Sequence, residues 1–115
     1  DTKFNYYDWL SSIDIGIIPF FGDSERVKAK ISKKCLEFMA CGQIVISSPW
    51  VHSDVLINNR NGFIVEKEED WFDILDDVIN KYSEYLDFGK KASLSYNKYH
   101  KKEKLLNPLI KFLNK

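Results

Sequence analysis

The fold is decided by residues 14–49, which join Asp14-Ile-Gly-Ile-Ile-Pro19, a basic segment, Ser32-Lys-Lys-Cys-Leu-Glu37-Phe-Met-Ala-Cys-Gly42 and Gln43-Ile-Val-Ile-Ser-Ser-Pro49. Two β-branched runs flank a segment with helical spacing. This arrangement predicts a strand–helix–strand unit with parallel strands, because the crossover is long enough to bring the chain back. Ligand sites in such sheets lie outside the carboxyl ends of the strands. A site is therefore expected after the first run and after the second.

Three apolar segments predict the strands of an α/β fold. The segments are residues 13–18, 43–47 and 63–65. Their near-continuous apolar character is typical of parallel strands that are covered on both faces. We therefore expect a three-layer domain with about three parallel strands, flanking helices and a helical C-terminus.

Five helices are predicted before Lys98. The first spans about 4–11, and the second begins between Ser24 and Ser32 and ends at Gly42. The third spans about 53–58, the fourth is capped by Asp70, and the fifth spans about 83–96. Residues 20–29 are expected to form a loop, and either serine can cap the helix that follows. Its sheet-facing positions are expected to be Leu36, Met39 and Ala40. Beyond Lys98 the chain is expected to be helical in part, with a restart or a kink at Pro108.

The same motifs carry a family resemblance. Lys34 to Pro49, together with Asp14-Ile-Gly-Ile-Ile-Pro19 before it and Asn61-Gly62-Phe63-Ile-Val65 after it, resemble the nucleotide-sugar-binding segment of group 1 glycosyltransferases. Those enzymes have two Rossmann-like domains that face a cleft. The resemblance implies that residues 1–115 form a single partial domain, the distal half of a Rossmann-like donor-binding domain at the C-terminus of such an enzyme.

The strand order of that fold implies an open sheet edge. Strand 13–18 would pair with strand 43–47 on one side and with a strand outside this chain on the other. An unpaired apolar edge recruits other strands, and exposed apolar surface favours association. We therefore expect the chain to self-associate.

Composition and charge narrow the class of protein. Lys plus Arg and Asp plus Glu number 17 each, so net charge predicts no nucleic-acid partner. Cys35 and Cys41 project in different directions from a helix and are expected to be reduced thiols, which indicates a cytoplasmic protein. No apolar run approaches the ~20 residues of a membrane span. No metal-ligand spacing is visible, so we expect no metal and no cofactor beyond a nucleotide-sugar donor substrate.

Glu37 is the leading candidate for substrate binding. A carboxylate can accept hydrogen bonds from both hydroxyls of a ribose, and in the family that the chain resembles the glutamate at this position holds the nucleotide ribose. The alternative is a solvated helix glutamate. Many family members have a second glutamate eight residues earlier, near the donor sugar, but that position is Ala29 here, and Glu25 has the wrong spacing. This departure indicates either altered donor chemistry or a subfamily that uses the backbone and the basic segment instead.

The basic segment before Glu37 is the second candidate. The backbone amides of Lys30, Ile31 and Ser32 are expected to open the helix, and helix N-termini bind phosphate. The resemblance implies that the matching amides hold the donor diphosphate and sugar. The cationic side chains expected to add positive charge against a departing diphosphate are those of Arg26, Lys28 and Lys30. For each of them, the alternative is a side chain that is only solvated. Lys34 either binds substrate or pairs with Glu37.

Two further features remain open. Ser47 and Ser48 either bind phosphate or finish their strand. In the lysine-rich C-terminus, apolar residues fall on one helical face at Leu105, Leu106, Leu109, Ile110 and Leu113. Such a helix either lies on an anionic membrane surface, which would place the protein at the inner face of the membrane, or packs on the domain outside this chain. The ordinary width of the stripe favours packing.

The resemblance implies a function with one rival. The expected reaction transfers a sugar from a nucleoside diphosphate to a hydroxyl acceptor with retention of configuration. The base, sugar and acceptor are not determined by the sequence, no catalytic residue is identified, and the isolated chain is expected to be inactive because the acceptor domain is missing. The rival, supported by Ala29, is a non-catalytic module that binds a nucleotide or a protein partner.

Overall fold

In the residues that the structure describes, the sheet consists of three parallel strands, as predicted. A computed structural model describes residue 5 and residues 12–20, 22, 24–49 and 55–113, without the side chains of 105–112. The strands are β1 (Ile15–Ile18), β2 (Ile44–Ser47) and β3 (Phe63–Ile64), in the order β1-β2-β3. In the described part of the chain β1 pairs only with β2 and Ile17 is 47% exposed, so β1 is an edge of this sheet. Self-association through that edge stays a prediction.

Strand β2 lies at the centre of two hydrophobic cores because its side chains alternate between the faces of the sheet. On one face, Val45 packs with Cys35 and Met39. On the other, Ile44 and Ile46 pack with a cluster of Phe63, Val65, Trp71 and Val78. Both faces are therefore covered, and the α/β, three-layer prediction is confirmed.

Helix α1 (Glu25–Ala40) provides the crossover between β1 and β2. Ser24 caps it, since the Ser24 hydroxyl accepts a hydrogen bond from the Val27 amide at 3.4 Å. The predicted loop over 20–29 is therefore wrong from Glu25 onwards. At the other end Gly42 has a φ of +73°, the left-handed conformation that was expected there.

The face that α1 turns to the sheet also differs from the prediction. Cys35 and Met39 are buried, with Ile31 and Phe38 partly buried beside them. Of the predicted trio only Met39 is buried; Leu36 is half-buried and Ala40 is exposed. The reason is that the long C-terminal helix α3 (Tyr82–Leu113) packs along α1, so the apolar residues of α1 contact both the sheet and α3.

Two helices follow β3. A 3₁₀ turn at Glu68–Asp70 leads into α2 (Trp71–Asn80), and Asp70 stands at the N-cap position without a side-chain cap bond. Helix α3 runs unbroken over Tyr82–Leu113, so the predicted end near Tyr96 and the predicted restart at Pro108 are wrong, while the alternative of a kink at Pro108 stays a prediction. The predicted helix over 4–11 falls almost entirely outside the described residues.

The segment between β2 and β3 is held by one buried asparagine rather than by a helix. In the described part of the predicted helix at 53–58, Val55–Asn58 forms a turn and an isolated bridge. The Asn61 side chain accepts from the Ile57 amide at 2.7 Å and donates to the Val55 carbonyl at 2.8 Å and to the Ser95 hydroxyl at 3.1 Å. Asn61 thereby ties this segment to α3.

We expect the junction of α2 and α3 to respond to acid. The Tyr85 hydroxyl donates to Asp77 at 2.6 Å, and Lys81 lies 3.1 Å from the same carboxylate. These contacts, with the tyrosine hydrogen bond foremost, lower the pKa of Asp77 from its ordinary 3.8. The ionised form is therefore favoured in the folded state. Its stabilisation is complete above 3.8 and is lost as the pH falls through the lowered folded pKa.

The measurement is urea unfolding of the native chain and of Tyr85→Phe over a pH series. The difference in unfolding free energy between the two should shrink as the pH falls below 3.8. A Tyr96→Phe variant serves as the control, because Tyr96 has no carboxylate hydrogen bond among its described contacts. If the difference in unfolding free energy between the native chain and Tyr85→Phe did not depend on pH, the contact with Asp77 would not contribute to stability.

Candidate functional site

The carboxyl ends of β1 and β2 carry hydroxyl groups that the fold itself uses. Ser47 and Ser48 are both fully buried. The Ser47 hydroxyl donates to the Ser48 carbonyl at 2.9 Å, and the Ser48 hydroxyl accepts from the Phe20 amide at 2.7 Å. Ser48 thus holds the segment after β1 against the end of β2. This is the structural role that was the alternative to phosphate binding. Phosphate binding by either serine stays a prediction.

The start of α1 lies at the same edge of the sheet but at other residues than expected. Because the helix begins at Glu25, the amides of Lys30, Ile31 and Ser32 lie inside it and are used by its own hydrogen bonds. Their predicted role as the opening amides is therefore wrong. The amides that precede the first helical bonds belong to Glu25 and Arg26, and Lys28 is paired with Glu25 at 3.3 Å.

One face of α1 carries three of the predicted site residues, Arg26, Lys30 and Glu37, together with Lys33. Arg26, Lys30, Lys33 and Glu37 are spaced by four, three and four positions, which places them in one row along the helix. This row lies opposite Cys35 and therefore away from the sheet. Arg26 and Lys30 thus share one helical surface with the predicted carboxylate and lie on its N-terminal side, whereas Lys28 lies on the opposite face of α1.

The carboxylate of Glu37 is paired and partly sheltered. Lys34 Nζ lies 3.4 Å from Glu37 Oε2, and the Glu37 side chain is 20% exposed. The solvated-helix alternative expects a well exposed side chain, so this degree of shelter favours a specific environment. A partly exposed ion pair of this kind contributes little to stability.

The shelter comes from a pocket between α1 and α3 with a volume of about 310 Å³. Among the described residues it is lined by one carboxylate, one lysine, two tyrosines and small or apolar side chains, namely Glu37, Lys33, Tyr96, Tyr99, Leu36, Ala40 and Cys41. Ligand sites typically combine an apolar lining with a few polar groups in this way. The pocket can therefore accept a ring system beside hydroxyl groups that bind Glu37.

The sequence analysis missed Tyr96 and Tyr99 as site residues. Both pack against the core next to the buried Ala92. The spacing Ala92, Tyr96, Tyr99 is a helical stripe and could have predicted which face of α3 packs inward. It could not have predicted that this face meets α1 beside Glu37, because that contact joins residues about sixty positions apart in the sequence.

The predicted site is divided between two regions of α1. Glu37 lies 12 positions after Glu25, which corresponds to about 18 Å along a helix axis. A ribose and its diphosphate do not reach that far. The opening amides at the sheet edge and the carboxylate in the pocket therefore cannot bind the ribose and the diphosphate of one nucleotide in this structure.

Cys35 within α1 and Cys41 directly after its end should differ in reactivity. Cys35 is buried and Cys41 is half-buried at the pocket, and neither forms a disulfide with another described residue. Burial raises the pKa of the Cys35 thiol to about 12, and the thiolate is the reactive form. We expect iodoacetamide at neutral pH to modify Cys41 alone, with Cys35 modified only after unfolding. Peptide mass spectrometry reads this out, and modification of Cys35 in the native chain would contradict its placement.

Comparison with known proteins identifies a family. A family model described as "Glycosyl transferases group 1" matches residues 4–81, more than half of the 115 residues. The matched region contains β1, α1, β2, β3 and α2, and it includes Glu37 and the cationic row before it. Searches among curated proteins and among solved structures find no match.

Proposed function

Because the chain belongs to the group 1 glycosyltransferases, we propose that it binds the nucleoside diphosphate sugar donor of a retaining sugar transfer to a hydroxyl acceptor. Glycosyl transfer is the activity of the family. The donor is the part of this reaction for which the chain offers a binding surface. The acceptor is held by a further domain of the same enzyme.

The pocket at Glu37 supports this proposal. The Glu37 carboxylate accepts hydrogen bonds from the two ribose hydroxyls, exchanging its contact with Lys34 for them. The nucleoside occupies the space between α1 and α3, against Tyr96 and Tyr99. This single carboxylate in a mostly apolar pocket within the family-matched region is the observation on which the proposal rests.

The diphosphate lies along α1 on the N-terminal side of Glu37. Lys33 and Lys34 precede Glu37 by about one helical turn, and Lys30 precedes it by two. Lysine side chains are long and bind phosphate as point charges. They therefore replace the amides of residues 30–32, which the helix uses itself. Arg26 lies further along the same row towards the helix start, whereas Lys28 lies on the opposite face of α1 and is paired with Glu25.

Calorimetric titration of the chain tests the proposal. We expect a nucleoside diphosphate to bind, and inorganic diphosphate or the nucleoside alone to bind more weakly, since each fills only half of the surface. A panel with different bases identifies the preferred nucleotide. Absence of binding by every nucleoside diphosphate would contradict the proposal.

The second candidate is a non-catalytic nucleotide-binding module. Ala29, which is exposed on α1, supports it, because the family's second glutamate is absent there and Glu25 is instead paired with Lys28. Both candidates predict nucleotide binding. Sugar transfer by the full-length enzyme separates them: turnover excludes the module, and binding without turnover excludes the transferase.

A further inference from the structure

We propose that a groove between residues 55–61 and α3 binds the phosphate monoester of a small organic molecule. It is called the basic groove below. One part of it has a volume of about 510 Å³ and a second part about 320 Å³. Both parts are lined by Ile57 and Ser95, so they adjoin each other. The α3 wall lies beyond residue 81, where the family match ends, so the match does not assign this groove.

Four cations line the basic groove. Lys91, Lys98 and Lys102 come from α3, and Arg60 comes from the turn before β3. The three lysines are seven and four positions apart, which places them in one row along the helix. Lys91 is paired with Asp87 at 3.1 Å, whereas the other three cations form no ion pair with a described residue. Since no acid is among the described lining residues, the groove favours an anion.

The two parts of the basic groove meet at a hydroxyl group that the fold holds in place. Asn61 is 2% exposed and donates to the Ser95 hydroxyl at 3.1 Å. Asn61 is itself fixed by the Val55 carbonyl at 2.8 Å and the Ile57 amide at 2.7 Å. Among the described contacts the Ser95 hydroxyl only accepts. A hydroxyl group also has a proton to donate, so Ser95 can bind an anion oxygen between the cations.

The size and the lining of the basic groove indicate a phosphate that is joined to an organic group. Besides the cations, the exposed side chains of Ile57 and Leu94 line it. Ligand pockets typically combine an apolar lining with a few polar groups, and they are far larger than a single phosphate ion. A phosphate monoester presents three acceptor oxygens and nearly two negative charges at neutral pH. These oxygens match the Ser95 hydroxyl with cations in both adjoining parts of the groove.

The basic groove adjoins the proposed nucleotide pocket without being part of it. Tyr99 lines both, but Glu37 and the other lining residues of α1 belong to the nucleotide pocket alone. Tyr99 therefore stands between two sites. The proposal rests on the cations and Ser95, and it does not require that a nucleotide binds at Glu37.

Calorimetric titration of the 115-residue chain with phenyl phosphate tests this proposal. Inorganic phosphate, sulfate and phenol are the comparison probes. We expect saturable binding of phenyl phosphate, weaker binding of the two inorganic anions and none of phenol. Arg60→Gln with Lys98→Gln should raise the dissociation constant of phenyl phosphate roughly tenfold or more, because charged hydrogen bonds are lost. Sulfate binding as tight as that of phenyl phosphate would show only a general attraction of anions and overturn the proposal.

A matched control carries the same charge change elsewhere. Lys67 and Lys104 are exposed and do not line the basic groove, so Lys67→Gln with Lys104→Gln should bind phenyl phosphate nearly as well as the native chain. Thermal unfolding of both double variants establishes that each is folded. An equal loss of affinity in the two variants would assign the binding to net charge and overturn the proposal.

A protein contact gives a different result. If the groove serves only to pack on a domain outside this chain, the chain alone will show no saturable binding of phenyl phosphate, which overturns the proposal. Nucleoside diphosphate affinity should be unchanged in Arg60→Gln with Lys98→Gln. An equal loss for nucleoside diphosphate and phenyl phosphate would assign both ligands to one site and also overturn it.

A lipid can supply the same phosphate monoester group, as phosphatidic acid does. In the part of the chain that the structure describes, no helix is long and apolar enough to cross a membrane. Co-sedimentation with vesicles of phosphatidylcholine and phosphatidic acid separates the two sources. We expect phenyl phosphate to bind whether or not the vesicles do. Binding to these vesicles without binding of phenyl phosphate would overturn the assignment to a small molecule.

Discussion

Replacing Gly89 with alanine should destabilise the fold, although it replaces glycine by the best helix former in the middle of α3. A Cβ atom at Gly89 would overlap the backbone carbonyl oxygen of Gly42. Neither partner is a flexible side chain, because one is the backbone of α3 and the other ends α1 in a left-handed conformation. Helix propensity alone would give a gain of about 1 kcal/mol. Overpacking costs about 1–3 kcal/mol, and the backbone contact places Gly89→Ala near the upper end.

The measurement is urea unfolding followed by circular dichroism. Asn97→Ala is the control, since Asn97 is exposed on the same helix and gains propensity without a new contact. We expect the free energy of unfolding to rise slightly for Asn97→Ala and to fall for Gly89→Ala. A rise for both would show that α3 does not cross the α1–β2 connection as closely as described.

Replacing Glu37 with alanine should weaken nucleotide binding by about 1.5–3 kcal/mol, roughly 10- to 150-fold in dissociation constant. The variant removes the carboxylate that the ribose hydroxyls are proposed to bind. Folding should change little, because the pair with Lys34 is partly exposed and such pairs contribute less than about 1 kcal/mol. Calorimetry with the preferred nucleoside diphosphate measures the loss.

Glu25→Ala is the matched control, because Glu25 is also a glutamate of α1 paired with a lysine three positions away. Its removal should leave nucleotide affinity almost unchanged. Unchanged nucleotide affinity in Glu37→Ala would show that Glu37 is a solvated helix residue without a role in binding. Stronger binding in Glu25→Ala would instead indicate a diphosphate at the helix start, where Glu25 repels it.

The sheet could be predicted from the sequence because its signals are local. The apolar runs at Ile15–Ile18 and Ile44–Ser47 are short, continuous and bounded by proline or glycine signals. Gly42 marks the helix end through its own conformational freedom. These features do not depend on what lies elsewhere in the chain, so strand number and direction followed from them, whereas the pairing of the first two strands followed from the family resemblance.

The start of α1 could not be predicted because two equally good caps compete. Ser24 and Ser32 are both followed by helix-compatible residues. Choosing Ser24 adds two helical turns and moves the opening amides away from Glu37. The sequence contains no local signal that separates the two choices, and this difference divides the predicted binding site.

The continuation of α3 through Pro108 is a second feature that local sequence signals could not predict. A proline removes one helical hydrogen bond, the one to the carbonyl of Lys104. Lys104 is exposed, so water can satisfy that carbonyl and the helix continues. Likewise, the meeting of Glu37 with Tyr96 and Tyr99 depends on how α3 packs on α1, which no segment determines by itself.

Nucleotide binding at the pocket between α1 and α3 is tested most directly by NMR. The backbone amide spectrum of the chain is followed during titration with the preferred nucleoside diphosphate. The proposal predicts that the largest shifts fall on residues 30–41 of α1 and on Tyr96 and Tyr99. Shifts confined to residues 24–28 and to Ser47 and Ser48, with the pocket unaffected, would contradict it.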